Sequence, residues 1–99
     1  MNVVWSPLAL ERVVGIGEFI AESRPQAAAN VVERLFDSVL RLAQFPESGR
    51  HLPESPRADL REVIHGNYRV IYRTDPHQVV IMTVRHARQD LSADDPDLL

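Results

Sequence analysis

Cysteine is absent from this 99-residue chain, and every one of its eleven basic residues is arginine. Without thiols there can be neither a disulfide nor a thiolate metal site, so stability must come from the packed core. No apolar run approaches the ~20 residues that span a bilayer. The start, Met1-Asn2-Val3-Val4-Trp5-Ser6-Pro7, lacks the basic flank and apolar stretch of a secretion signal. These absences set the expectation of a cytoplasmic protein with no membrane association. His51, His65 and His77 are scattered over turns without the spacing of metal ligands on one helix or hairpin, and neither metal nor cofactor is expected. The absence of lysine reflects genome composition as readily as chemistry.

What is present is ordinary for a soluble protein, with 44% hydrophobic and 25% charged residues. Residues 1–99 read as one domain, large enough to bury roughly two thirds of the surface its unfolded form exposes. The net charge of −3 conceals an asymmetry. Residues 1–49 carry four arginines against six acids, residues 50–88 seven against four, and residues 89–99 four aspartates with no base. An acidic total argues against the many cationic contacts of non-specific polyanion binding, and no sequence-specific nucleic-acid binding is expected.

The periodicity changes twice along the chain. Val3, Val4 and Trp5 form a strand-like start, with Trp5 placed to anchor it onto helices. Ser6-Pro7 is a helix entry, because serine can cap and proline suits the first turn. Leu10, Val13, Val14, Gly17 and Ile20 then recur at three and four, the spacing of one helix face. Ser23-Arg24-Pro25 breaks this helix and opens a second, whose face is Ala28, Val31, Val32, Leu35, Val39 and Leu42. Two such helices joined by a short break predict an antiparallel hairpin. Pro46, Gly49, Pro53 and Pro56 mark a loop. Leu60 to Ile64, Tyr68 to Arg73 and Val79 to Val84 read as strands, with turns at Gly66-Asn67 and Asp75 to Gln78. The fold class is therefore α+β: an N-terminal strand, an antiparallel helix hairpin, and a three-stranded antiparallel meander forming one sheet packed on the helices. The acidic tail, 89–99, has no steady period. Ser92 to Leu99 is a short helix or a frayed end, and a solvated tail is expected over one in which Asp90, Asp94, Asp95 and Asp97 cover the basic sheet.

Arginine grips phosphate or carboxylate bidentately, so Arg61, Arg69, Arg73, Arg85 and Arg88 on or beside strands suggest an anion-recognising surface. Arg50, beside Gly49, could join it. His86 is the histidine next to them, with an unperturbed pKa near neutrality. Each also has a plainer reading. Tyr68 and Tyr72 share one strand face and suit core packing; Arg69 and Arg73 share the other, where salt bridges to Glu62, Asp59 or the tail are as natural as ligand contact. His86 could simply hydrogen-bond a backbone carbonyl.

The order of elements, with Trp5-Ser6-Pro7, Pro25-Gln26-Ala27-Ala28, Gly49-Arg50, Leu60-Arg61-Glu62, Tyr68-Arg69-Val70-Ile71-Tyr72-Arg73 and Val84-Arg85-His86-Ala87-Arg88, resembles the RelE/ParE superfamily of bacterial toxins over residues 3–90. The resemblance implies the toxin half of a type II toxin-antitoxin pair, without a cofactor, neutralised by a cognate antitoxin that wraps it with an extended, partly helical segment. It implies one of two activities: RelE-like cutting of messenger RNA in the ribosome, or ParE-like poisoning of DNA gyrase. A nuclease would use Arg61, Arg69 and His86, since 2′-hydroxyl attack needs a base, an acid and cations around the phosphate. Arg69 matches the arginine of the family's Tyr-Arg-hydrophobic-hydrophobic-Tyr strand, and Arg61 a basic position on the preceding strand. Yet Val63 stands where those nucleases carry a second basic residue, and their C-terminal catalytic tyrosine is missing. These departures favour ParE-like gyrase inhibition, without chemistry, through Arg50, Arg61, Arg69, Arg73, Arg85, His86 and Arg88. A toxin fold that only binds its antitoxin is the third reading. On this basis Arg69→Ala should weaken toxicity more than folding, and Leu35→Ala should act only by unfolding.

Overall fold

The computed structural model describes all 99 residues and has the α+β architecture expected of the sequence. Strand β1 (Asn2–Trp5) is followed by helices α1 (Pro7–Ala21) and α2 (Pro25–Asp37), a 3-10 turn (Leu40–Ala43), strands β2 (Arg50–His51), β3 (Leu60–His65), β4 (Tyr68–Thr74) and β5 (Gln78–His86), and a last 3-10 turn (Pro96–Leu98). The five strands form one sheet in the order β1-β5-β4-β3-β2. β3, β4 and β5 are the antiparallel meander, while β1 adds in parallel to β5.

Local chemistry explains the boundaries. Ser6 Oγ accepts from the Ala9 amide and Pro7 occupies the first turn, so α1 starts where its cap allows. Gly17 lets the helices approach closely, since a Cβ there would stand 3.0 Å from Val32 Cγ2. α2 ends at Asp37 rather than running on to Leu42. Ser38 Oγ donates to the Leu35 carbonyl at 2.7 Å, and this local bond competes with the helix ladder. Val39 and Leu42 nevertheless stay buried, because the 3-10 turn carries them onto the same core. Gly66, at φ 58°, starts the β3–β4 turn and Asn67 has no positive φ, the pattern of a type II′ hairpin.

The sheet has two unlike faces. Toward the helices, Val63, Val70, Tyr72, Val79, Ile81 and Val84 pack on Ala9, Val13, Leu35, Val39 and Leu42. Trp5 lies against Phe36 with ring centroids 4.7 Å apart, anchoring β1 as expected. On the opposite face Leu52, Leu60, Ile71 and Leu98 form a smaller cluster. The register shifts between Ile71 and Tyr72: Ile71 pairs with Thr83 but Tyr72 with Ile81. Met82 is thus an extra residue, a bulge that sends Thr83 to the second face while Ile81 and Val84 keep to the helix side.

Besides the early end of α2, three details depart from the sequence-based expectation. Arg50 and His51 form a short strand inside the stretch expected to be loop. On α1 the buried stripe runs through Ala9 and Val13, leaving Leu10 and Val14 substantially exposed. The acidic tail is not free in solvent either. Asp97 and Leu98 are buried, because one carboxylate neutralises two arginines and the leucine completes the second apolar cluster.

Candidate functional site

The arginines of the sheet are brought close to carboxylates before they meet anything else. Arg69, 7% exposed, projects from the second face of β4. Its Nε donates to Glu62 Oε1 at 2.6 Å, and Nη1 and Nη2 donate to the two oxygens of Glu54 at 2.8 and 2.6 Å. Glu62 in turn accepts from Arg50 Nε at 2.7 Å. The result is a chain Arg50–Glu62–Arg69–Glu54 that ties β2, β3 and β4 to the proline-bounded loop carrying Leu52 and Glu54. The Arg69 hydrogen bond holds the Glu54 carboxyl below the usual range, against the opposing effect of burial. The same pairing holds the Arg69 guanidinium firmly charged. Arg50 keeps about half of its side chain in solvent, more than any other member of this chain of charges.

Arg61 lies on the other side of β3. Its Nη1 donates to the carbonyls of Glu47 and Gly49, at 3.1 and 2.8 Å, and its Nε is buried without a partner. Beside it Tyr72 donates from Oη to the Pro46 carbonyl and accepts from the Gly49 amide. Burial of this phenol pushes its pKa up. Gly49 is fixed by that contact, since a Cβ would fall 2.5 Å from Tyr72 Oη and 2.6 Å from the Glu62 carbonyl.

Arg85 is gripped by the tail. Nη1 donates to Asp95 at 3.1 Å and to Asp97 at 3.4 Å, and Nη2 to the Asp90 carbonyl. Arg73 pairs with Asp75 at 3.4 Å, at the end of the sheet away from Arg85. His86 neither donates to a carbonyl nor approaches a carboxylate: its Nδ1 accepts from the Arg88 amide at 3.0 Å, and its ring meets Tyr68 edge-on at 5.5 Å. The side chain of Arg88 is exposed and makes no hydrogen bond or ion pair. Arg69 and Arg85 thus stand opposite one another on β4 and β5, each turned to its own carboxylates, and Arg50 is joined to Arg69 through Glu62; Arg61 stands on the opposite face, and His86 and Arg88 lie at the end of β5.

That end opens on a cleft of about 860 Å³ between α1 and the β4–β5 ends, floored by Val14, Ile16, Tyr68 and Val84 and rimmed by Glu11, Glu18, Arg12 and Arg85. Phe19, 74% exposed, stands at its lip. With Val14, 57% exposed, it leaves apolar area in water beside the cleft. Sequence reasoning missed Glu54, Arg12 and Phe19, and set the placement of Asp97 over the basic sheet below a solvated tail. The signal for Phe19 was available, since it falls off the apolar face of its helix; Glu54 sits in an aperiodic segment that gives none, and the four tail aspartates give no means of choosing Asp97 among them.

The model of the ParE toxin of the type II toxin-antitoxin system parDE matches residues 3–91. The chain is 39% identical over 90 residues to the toxin candidate Y4kP of Sinorhizobium fredii, covering 89% of this chain and 90% of that one. It is 35% identical over 87 residues to Toxin RelE2 of Caulobacter vibrioides, covering 87% and 94% respectively. Among solved structures, the chromosomal ParDE system of P. aeruginosa superposes with a TM-score of 0.74 at 18% identity, covering 87% of this chain and 95% of that one, which speaks for the fold. With nearly its whole length inside the family model and its sheet and helix hairpin in the family arrangement, the chain belongs to the ParE toxin family of the RelE/ParE superfamily, the toxins of type II toxin-antitoxin systems.

Proposed function

We propose that this toxin acts by binding DNA gyrase and performs no chemistry of its own. The observation that carries this reading is the fate of the arginines. Cleavage of RNA needs a cation cluster open to a phosphate, with an acid and a base within hydrogen-bond reach. Here Arg69 is buried between two glutamates, Arg61 is spent on two carbonyls, and Arg85 is held by two aspartates. His86 has its Nδ1 taken by the backbone amide of Arg88 and makes no hydrogen bond to Arg61 or Arg69. The groups left outward, Arg50, Arg88 and Phe19, suit adhesion to a protein surface. The family model matched, that of the ParE toxin of parDE, supports the same reading.

A cognate antitoxin is the proposed second partner, and the cleft beside α1 its proposed seat. Val14 and Phe19 supply exposed apolar area there, and Glu11, Arg12 and Glu18 of α1 with Arg85 of β5 place both signs of charge around it, a pattern that would orient an amphipathic helix. The relative named Toxin RelE2 favours keeping RNA cleavage on the ribosome as the second reading. An ATP-driven supercoiling assay separates them: inhibition by the purified chain is expected, whereas untouched gyrase together with cleavage of ribosome-bound messenger RNA overturns the proposal.

A further inference from the structure

The tail is held as a ligand is held. The Asp97 carboxylate receives Arg12 Nε and Nη2 at 3.2 and 3.0 Å, Thr83 Oγ1 at 2.9 Å and Arg85 Nη1 at 3.4 Å. Thr83 is completely buried, so its hydroxyl is a fixed donor rather than a surface group that happens to be near. One residue on, Leu98 is 1% exposed in a seat made by Leu52, Leu60 and Ile71. Arg57 Nη1 then donates to the Leu98 carbonyl at 2.7 Å. Carboxylate, apolar side chain and backbone carbonyl are each read by separate groups. All of those groups stand on α1, β3, β4, β5 or the loop from Leu52, whereas the segment being read is a single 3-10 turn.

The segment that brings it there is loosely built. Residues 87–90 and 92–94 are exposed, Leu91 is only partly covered, and Leu99 is 90% exposed. Such a linker supplies the tail at an effective concentration on the order of millimolar. A competitor must exceed that, and the fold offers the means. Arg12 and Arg85, which hold Asp97, also line the cleft beside α1, so a partner seated on Val14 and Phe19 lies next to the same guanidinium groups. Arg12 keeps 45% of its side chain in solvent, so its guanidinium can be reached by an incoming carboxylate.

We propose that Arg12, Arg57, Thr83 and Arg85, with the seat of Leu52, Leu60 and Ile71, form a recognition site for an Asp-Leu segment of a partner protein. The chain's own Asp97-Leu98 occupies it in cis, and a partner anchored in the cleft displaces that tail. The inference is independent of whether gyrase or the ribosome is the target. It makes the acidic tail a guard on the site and predicts that tail and partner exclude one another.

The probe is a fluorescent peptide of this chain's residues 90–99, added to the full-length protein and to full-length Asp97→Asn and Leu98→Ala variants. Saturable binding to either variant, about tenfold or more tighter than to the parent chain, is expected because the resident tail lowers the competent fraction. Arg85→Gln introduced into the same variant should abolish that binding. Amide exchange of the parent chain provides a readout that requires no variant to fold: residues 95–99 should exchange faster than the β3–β5 amides, by a route that opens the tail alone. Absence of peptide binding to correctly folded variants, equal binding to parent and variants, or tail amides protected as long as the sheet would each overturn the proposal.

Discussion

Replacing Arg69 by methionine should unfold this protein more readily than it alters any surface. The substitution keeps much of the side-chain volume and removes the charge. Glu62, whose side chain is fully buried, would then be left with Arg50 alone, and Glu54 would lose both of its hydrogen bonds. Breaking a buried pair by removing one partner costs about 3–5 kcal/mol, because the remaining charge stays desolvated. A chain of this size has about 5–15 kcal/mol of stability in total, so about a fifth or more of it is at stake. In urea, with a slope of about 1–3 kcal/mol per molar, the midpoint should fall by about 1–5 M at an unchanged slope. Adding Glu62→Gln and Glu54→Gln to the methionine variant should return part of the loss, since no buried charge remains unpaired. The assay is equilibrium unfolding followed by far-ultraviolet circular dichroism at neutral pH. A methionine variant within about 0.5 kcal/mol of the parent, the range of ordinary surface substitutions, would refute the reasoning. This reverses the weighting drawn from sequence, in which Arg69 mattered more for toxicity than for folding.

Other outcomes follow from the same structure. Leu35→Ala empties a fully buried position between the helices and the sheet and should cost about 2–5 kcal/mol by denaturant unfolding. Tyr72→Phe leaves the buried Gly49 amide and the Pro46 carbonyl without their partner and should cost about 1–3 kcal/mol on the same scale. Asp97 has its carboxyl held below the ordinary value, burial being outweighed by Arg12 and Thr83. A lowered folded pKa gives stability that is full above the unfolded value of about 3.9 and is lost as pH falls through the folded one. Exchange protection of residues 95–99 should therefore fail on acidification below about pH 4, and protection that is flat through that range would contradict the assignment. Phe19→Ala should leave the thermal midpoint almost unchanged while weakening antitoxin binding measured by calorimetry.

The helix hairpin and the meander were legible because each repeats its own period. Ala28, Val31, Val32 and Leu35 recur at helical spacing, and β-branched runs mark the strands between Gly66-Asn67 and Asp75-Pro76. The destinations of the arginines were not. Arg69 finds Glu54 through a loop whose path no local pattern encodes, and the partnership depends on strand register. The bulge at Met82 defeats alternation directly, since strict parity would put Thr83 beside Ile81 in the main core rather than under Asp97. The tail misled for a different reason: four aspartates in an aperiodic stretch read as solvated, and only tertiary structure brings Arg12, Thr83 and Arg85 to one of them. Leu10 and Val14 show the converse, apolar residues in helical register that the fold leaves exposed.

Trapping of gyrase on DNA by the folded toxin is the most direct test of the proposed activity. Supercoiled plasmid, gyrase, ATP and increasing amounts of the purified chain should yield linear DNA after protein is digested away, while messenger RNA on ribosomes stays intact. Plasmid that remains uncut at every ratio, alongside messenger RNA cleaved within the ribosome, would contradict it.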